Sequence, residues 1–209
     1  MSNPDAAVGS VDWTPAASTA ALRVEADEQR VWNRWLPFAR PLLVLPQVAW
    51  GVVLLVPASA AYLVSGAVVV ATGRYPRSVY GFVAGLGHWL TNCAAYLWSV
   101  TDAYPPFALG PQPNHPVRLT LAREPPRHVA RWRPLAGWLL VVPHTVYLAF
   151  LYAGLIMLIP TVMLSIGRGA GYPPALRRLV VGTLTFQARI TAYVFFVADE
   201  RPSLVVEPS

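Results

Sequence analysis

Residues 42–72 read LLVLPQVAWGVVLLVPASAAYLVSGAVVVAT and contain no charge. A helix needs about 20 apolar residues to cross ~30 Å of hydrocarbon, and this stretch exceeds that. It is apolar all round, so it lacks the polar face of a helix in a soluble bundle. Three more such stretches follow, at 79–100, 135–166 and 179–197. The fold expected from this pattern is an all-α membrane protein. Its four transmembrane helices form two tandem helical hairpins, because the connectors at 73–78 and 167–175 are too short to cross anything.

The composition agrees. The 209 residues are 55% hydrophobic and 12% charged, with a mean hydropathy of +0.44. An ordinary soluble domain is roughly 25% charged. Every one of the 16 basic residues is Arg, and the net charge is +6. In a membrane protein such charge sets topology and touches anionic headgroups. No helix-turn-helix, finger or stacking platform accompanies it, so nucleic acid is not an expected partner. The single Cys, Cys93, excludes an internal disulfide and a cysteine-based zinc site. No cofactor is expected.

Proline and tryptophan subdivide the first and third stretches. Arg34-Trp35 precedes Pro37, and Arg131-Trp132 precedes Pro134. Trp favours the headgroup level. Pro46 and Pro143 each remove a backbone hydrogen bond and bend or end a helix. Short interfacial helices are therefore expected at about 34–45 and 131–142, ahead of spans at about 47–72 and 144–166. The remaining spans are at about 79–100 and 179–197. Residues 1–20 read as a disordered tail.

The two halves align without a gap at an offset of 97. Arg34-Trp35 falls on Arg131-Trp132, Pro46 on Pro143, and Tyr75-Pro76 on Tyr172-Pro173. Ala95-Tyr96 falls on Ala192-Tyr193, and Asp102 on Asp199. This predicts an internal repeat: 21–110, a linker at 111–116, and 117–207. Two spans per copy imply parallel copies about a pseudo-two-fold axis along the membrane normal. The termini and the 102–133 connection then share one side. That side is the richer in Arg, so the expected location is a multi-pass cell membrane protein with cytoplasmic termini. Alternating runs at 22–24, 107–109, 117–121 and 204–206 suit short strands, and these fit a small cytoplasmic sheet.

Several strings resemble one family. They are Arg131-Trp132-Arg133-Pro134-Leu135, Trp138 to His144, Gly73-Arg74-Tyr75-Pro76-Arg77 and Thr101 to Phe107. They are similar to the domain of unknown function 4389 family, bacterial membrane proteins common in actinobacteria. The resemblance covers two copies and implies no known activity. Arg189-Ile190-Thr191-Ala192-Tyr193 is similar to the family's Arg-x-x-Ala-Tyr, whereas the first copy has Asn92 in place of that Arg.

Arg189 is the sharpest anomaly, an Arg in mid-span with no carboxylate in any span. A mid-bilayer Arg costs about 2.5–3.5 kcal/mol on insertion scales. Thr185, Arg189 and Tyr193 share one helix face at i, i+4, i+8. Their equivalents are His88, Asn92 and Tyr96. Two facing polar stripes would give Arg189 neutral acceptors, either as a lock between helices or as a site for an anionic group; a shallow or tilted fourth helix would instead let Arg189 reach headgroups. Asp102 and Asp199 read as stop signals at span ends, or as partners of Arg34 and Arg131. Tyr75 and Tyr172 read as interfacial turns, and Trp35 and Trp132 as interfacial anchors.

No catalytic triad, carboxylate pair, phosphate loop or metal cluster is present in the sequence. The first functional reading is a non-enzymatic scaffold or accessory subunit. It would contact anionic lipid and either a membrane partner or further copies of itself. One alternative is a binder or carrier of an anionic lipid or lipid-like substrate that uses Arg189. A further alternative is an oligomeric small channel or transporter.

Overall fold

The computed structural model describes residues 22–29, 32–33, 35–121, 125–126 and 128–198. The expected tail at 1–20, the strand at 204–206, Arg34 and Asp199 lie outside the described residues. Seven elements follow in order: β1 (Arg23–Ala26), α1 (Leu36–Leu43), α2 (Leu45–Thr72), α3 (Arg77–Leu97), β2 (Val117–Thr120), α4 (Arg133–Gly167) and α5 (Pro174–Val194).

Among the described residues, two helical stretches are long and apolar enough to cross a membrane: Leu36–Thr72, which is α1 continued by α2, and Arg133–Gly167, which is α4. α3 and α5, also expected as spans, are of a different kind. They form the inner layer. α5 buries most of its length, from Val180 to Tyr193. α2 and α4 bury only a narrow stripe and expose large apolar side chains such as Val56, Leu63, Phe150 and Met157.

The two prolines behave differently. Pro46 opens α2 after a break at Val44. Pro143 lies within α4, which runs through it without interruption, so no separate helix forms at 131–142. The His144 ring (Nδ1) lies 2.8 Å from the Leu140 carbonyl, and the Thr145 hydroxyl donates to the Val142 carbonyl at 2.8 Å. Side chains thus make additional contacts to helix carbonyls next to Pro143.

α3 and α5 begin and end 97 positions apart. Each ends in the same way. The Val100 N–H bonds the Ala95 carbonyl at 2.9 Å, and the Val197 N–H bonds the Ala192 carbonyl at 2.8 Å. The residue before each, Ser99 and Phe196, takes φ 61°. That is the Schellman ending, here without its usual glycine.

The two hairpins were expected to point the same way, and the structure sets them head to tail. Tyr172, in the α4–α5 turn, donates its hydroxyl to the Trp98 carbonyl at the far end of α3. Val129, just before α4, donates its N–H to the Gly73 carbonyl in the α2–α3 turn. The difference comes from the connection after α3, which runs back along that helix instead of staying at one end. Gly85 permits this, because a Cβ there would meet the Leu109 carbonyl carbon at 3.1 Å.

β1 and β2 pair antiparallel, with Val24 opposite Leu119 and Glu25 opposite Arg118. Val24, Val117 and Leu119 point into the core, while Arg23, Glu25, Arg118 and Thr120 are exposed. Residues 107–109 form no strand. The ribbon lies on the inner helices, β1 on α5 and β2 on α3. The molecule therefore has three layers: apolar helices outside, α3 and α5 within, and a charged ribbon on the opposite face.

His115 ties the ribbon to the connection. It is buried, and its ring Nδ1 accepts the Val117 N–H at 3.2 Å. Burial lowers its pKa below the usual 6.5, against a smaller opposing effect of the Val117 backbone. A folded pKa below the unfolded one means stability present above about pH 6.5 and lost as the pH falls from there through the folded value. Amide exchange in β1 and β2, corrected for intrinsic rates, is expected to quicken between pH 7.5 and 5.5. His115→Asn, which keeps an acceptor but does not titrate, should flatten that dependence.

Candidate functional site

The polar groups that matter sit at the two ends of the inner helices. Arg40 projects from α1 and is only 1% exposed. Its Nη1 donates to the Tyr96 carbonyl at 2.5 Å, its Nη2 pairs with Asp102, and its guanidinium lies 5.0 Å from the centre of the Tyr96 ring. At the other end, Arg133 from α4 donates to the carbonyls of Tyr193 (3.1 Å) and Ala198 (2.8 Å). It lies 4.2 Å from the Tyr193 ring centre. Each cation meets the negative end of a helix, where carbonyls lack helical partners.

The two arginines are not at matching positions. At an offset of 97, Arg133 aligns with Leu36, and Arg40 aligns with Gly137. One turn of helix separates the two solutions, yet both guanidiniums reach the equivalent carbonyl and the equivalent ring.

Asp102 does more than end a span. It pairs with Arg40, accepts the Asn33 N–H at 2.9 Å, and donates its own N–H to Gln29 Oε1 at 2.8 Å. Its expected partner Arg34 lies outside the described residues, and Arg131 is exposed. Gln47 is buried on α2. Its Nε2 donates to the Pro105 carbonyl at 2.6 Å, and its Oε1 accepts the Trp89 indole N–H at 2.9 Å. Sequence reasoning missed Arg40 and Gln47. The available signal was their spacing, since 40, 47, 54 and 61 recur every seven residues and form the buried stripe of α1–α2.

The expected polar stripe separates into different partners. Arg189 is 5% exposed, and its Nε donates to the Leu22 carbonyl at 3.3 Å. The Thr185 hydroxyl accepts the Val24 N–H at 3.2 Å. These two residues therefore hold β1 on α5. Tyr96 and Tyr193 face Arg40 and Arg133 instead of Arg189. Asn92 is buried in α3 and His88 is half-buried. On α5 the stripe faces β1, which takes the Thr185 and Arg189 contacts.

Tyr75 and Tyr172 sit at turns but are buried in protein, not at an exposed interface. Burial pushes the Tyr172 hydroxyl up to about 12, against smaller effects of Arg40 and Arg177, so it stays a neutral donor. Trp35 and Trp132 are exposed.

Two cavities meet at Tyr172. One, of about 320 Å³, is an apolar groove between α1 and the second half of α4, walled by Pro37, Pro41, Ile159 and Met163. The other, of about 500 Å³, is polar and lies at the start of α5 beside Trp32, Arg177 and Arg178.

Residues 31–108 match the family model described as Domain of unknown function (DUF4389). The match spans α1, α2 and α3, and it includes Arg40, Gln47, Tyr96 and Asp102. No curated protein and no solved structure matches the chain.

The Arg40–Asp102 pair is a buried cation whose loss of partner is costly, about 3 kcal/mol. Asp102→Ala and Arg40→Met should each lower the melting temperature in mild detergent. The double variant should lose less than the sum of the two, and a thermal double-mutant cycle measures that coupling.

Proposed function

We propose that the protein is a non-enzymatic, membrane-anchored scaffold built from two copies of one unit. On this reading one face, made by α1–α2 and α4, lies in the lipid, and the ribbon face lies in water. The carrying observation is the position of the ribbon. It crosses α3 and α5 at mid-length, where Thr185 meets Val24 and Gly87 meets Leu119.

If the helices stood across a bilayer, the ribbon would lie at its mid-depth. Arg23, Glu25 and Arg118 would then enter hydrocarbon, at about 2.5–3.5 kcal/mol for each Arg. A two-stranded sheet would also leave open edges where no water can satisfy them. One-sided embedding avoids both costs. The Arg-rich ribbon and connection favour the cytoplasmic leaflet. The two-copy reading is supported by the equal spacing of α3 and α5 and by their matching endings at Ser99 and Phe196. The scaffold reading is supported by the polar side chains that bind the protein's own backbone: Arg40, Gln47, Arg133 and Arg189.

Topology is tested by labelling in a Cys93→Ser background. Single cysteines at Glu25→Cys, Arg74→Cys and Arg168→Cys report the ribbon and the two turns. An impermeant maleimide should reach all three only after the cells are opened. Labelling of either turn in intact cells overturns the one-sided reading. For the scaffold role, purification from native membranes should retain a partner. Arg23→Gln with Arg118→Gln should release it with little change in melting temperature, since an exposed pair contributes little to stability. A solitary particle in native membranes overturns that role.

A further inference from the structure

We propose that the molecule holds one anionic phospholipid astride Tyr172, with an acyl chain in the groove between α1 and α4 and the phosphate at the start of α5. The inference rests on the membrane-anchored reading above, not on the scaffold role.

The groove has the size and lining for a chain. Its volume of about 320 Å³ falls within the range of small-molecule sites. α4 contributes Ile156, Ile159 and Met163, and Ile156 also belongs to the exposed apolar face. The groove therefore opens from the surface that meets lipid. Arg40 borders it, but Asp102 neutralises that charge. A chain is favoured there over a headgroup.

The second cavity supplies what a headgroup needs. Arg177 and Arg178 line it, with Glu28 as the opposing carboxylate. Arg177 is held in place by the carbonyls of Ala26 (2.6 Å) and Asp27 (2.9 Å). Arg178 is exposed beside it. α5 starts here, and the N–H groups of Ala175 and Leu176 precede its first helical bond, which the Arg177 N–H makes to the Pro173 carbonyl at 3.0 Å. The cavity thus combines two guanidiniums with the positive end of a helix. Tyr172 is a wall of both cavities, so the two adjoin. Charge and apolar lining adjoin as phosphate and acyl chain do in a phospholipid.

The test uses the full chain in bilayers of equal phosphatidylglycerol and phosphatidylcholine, extracted in mild detergent and weighed by native mass spectrometry. The wild type should retain one phosphatidylglycerol. Ile159→Trp, which fills the groove, should lower retention about tenfold, the factor for a loss of 1.4 kcal/mol. Arg178→Ala should keep a lipid but lose the preference for the anionic one. Added inorganic phosphate should not displace the bound lipid. Equal retention of the same lipid by all three proteins overturns the proposal, as does binding of phosphate alone. Melting temperatures verify folding, and Met163→Phe replaces Ile159→Trp if that variant unfolds. Failure of the anchoring itself is distinguishable, because the wild type would then not float with vesicles.

Discussion

A guanidinium laid on a tyrosine ring at the end of each inner helix is the contact on which the rest of the structure depends. At the ends of α3 and α5 the carbonyls of Tyr96 and Tyr193 have, from their own chain, the capping N–H groups of Ser99 and Phe196 at 3.1 Å. Arg40 and Arg133 reach those carbonyls from the outer helices. Each outer helix is thereby fixed to the end of the inner helix that follows it, and the hairpin closes at its open end. At Arg40, Asp102 balances the buried charge and also draws in Asn33 and Gln29. The chain leading into α1 is fixed by the same carboxylate.

The charge distribution follows from this layering. The outer helices hold only a thin polar stripe, spent on Gln47 and the arginines, and present apolar side chains elsewhere. α5 places Thr185 and Arg189 toward the ribbon. The ribbon carries its charges on its far side, with Glu25 opposite Arg118 across the strands and Arg118 paired with Asp27 in water. Such an exposed pair contributes little to stability. It leaves that face of the molecule charged.

Much of this was legible in the sequence. The four helices, the hairpin turns and the strands at 22–24 and 117–121 follow from apolar runs, Tyr-Pro turns and alternation. That Arg189 needs a partner was legible as well, but which partner was not. Partner choice depended on where the strand would lie, and local periodicity is silent on that. The same applies to orientation. A connection of some thirty residues can stay at one end or run back along a helix, and Gly85 is a small signal among many glycines. Pro143 misled because proline weakens a helix locally, while packing along α4 keeps it continuous.

The strand pairing also fixes an order of events during synthesis. Val24 finds its side-chain partner at Thr185, 161 residues later in the chain. The segment that emerges first therefore reaches its place last. Until α5 exists, β1 lacks the surface it covers, and α3 lacks its inner neighbour. Contacts of such long separation are slow to form, because chain closure must precede any gain. Apolar α2 is complete long before α5 and stands without its inner layer meanwhile. The charged ribbon thus closes last, over the finished pair of hairpins.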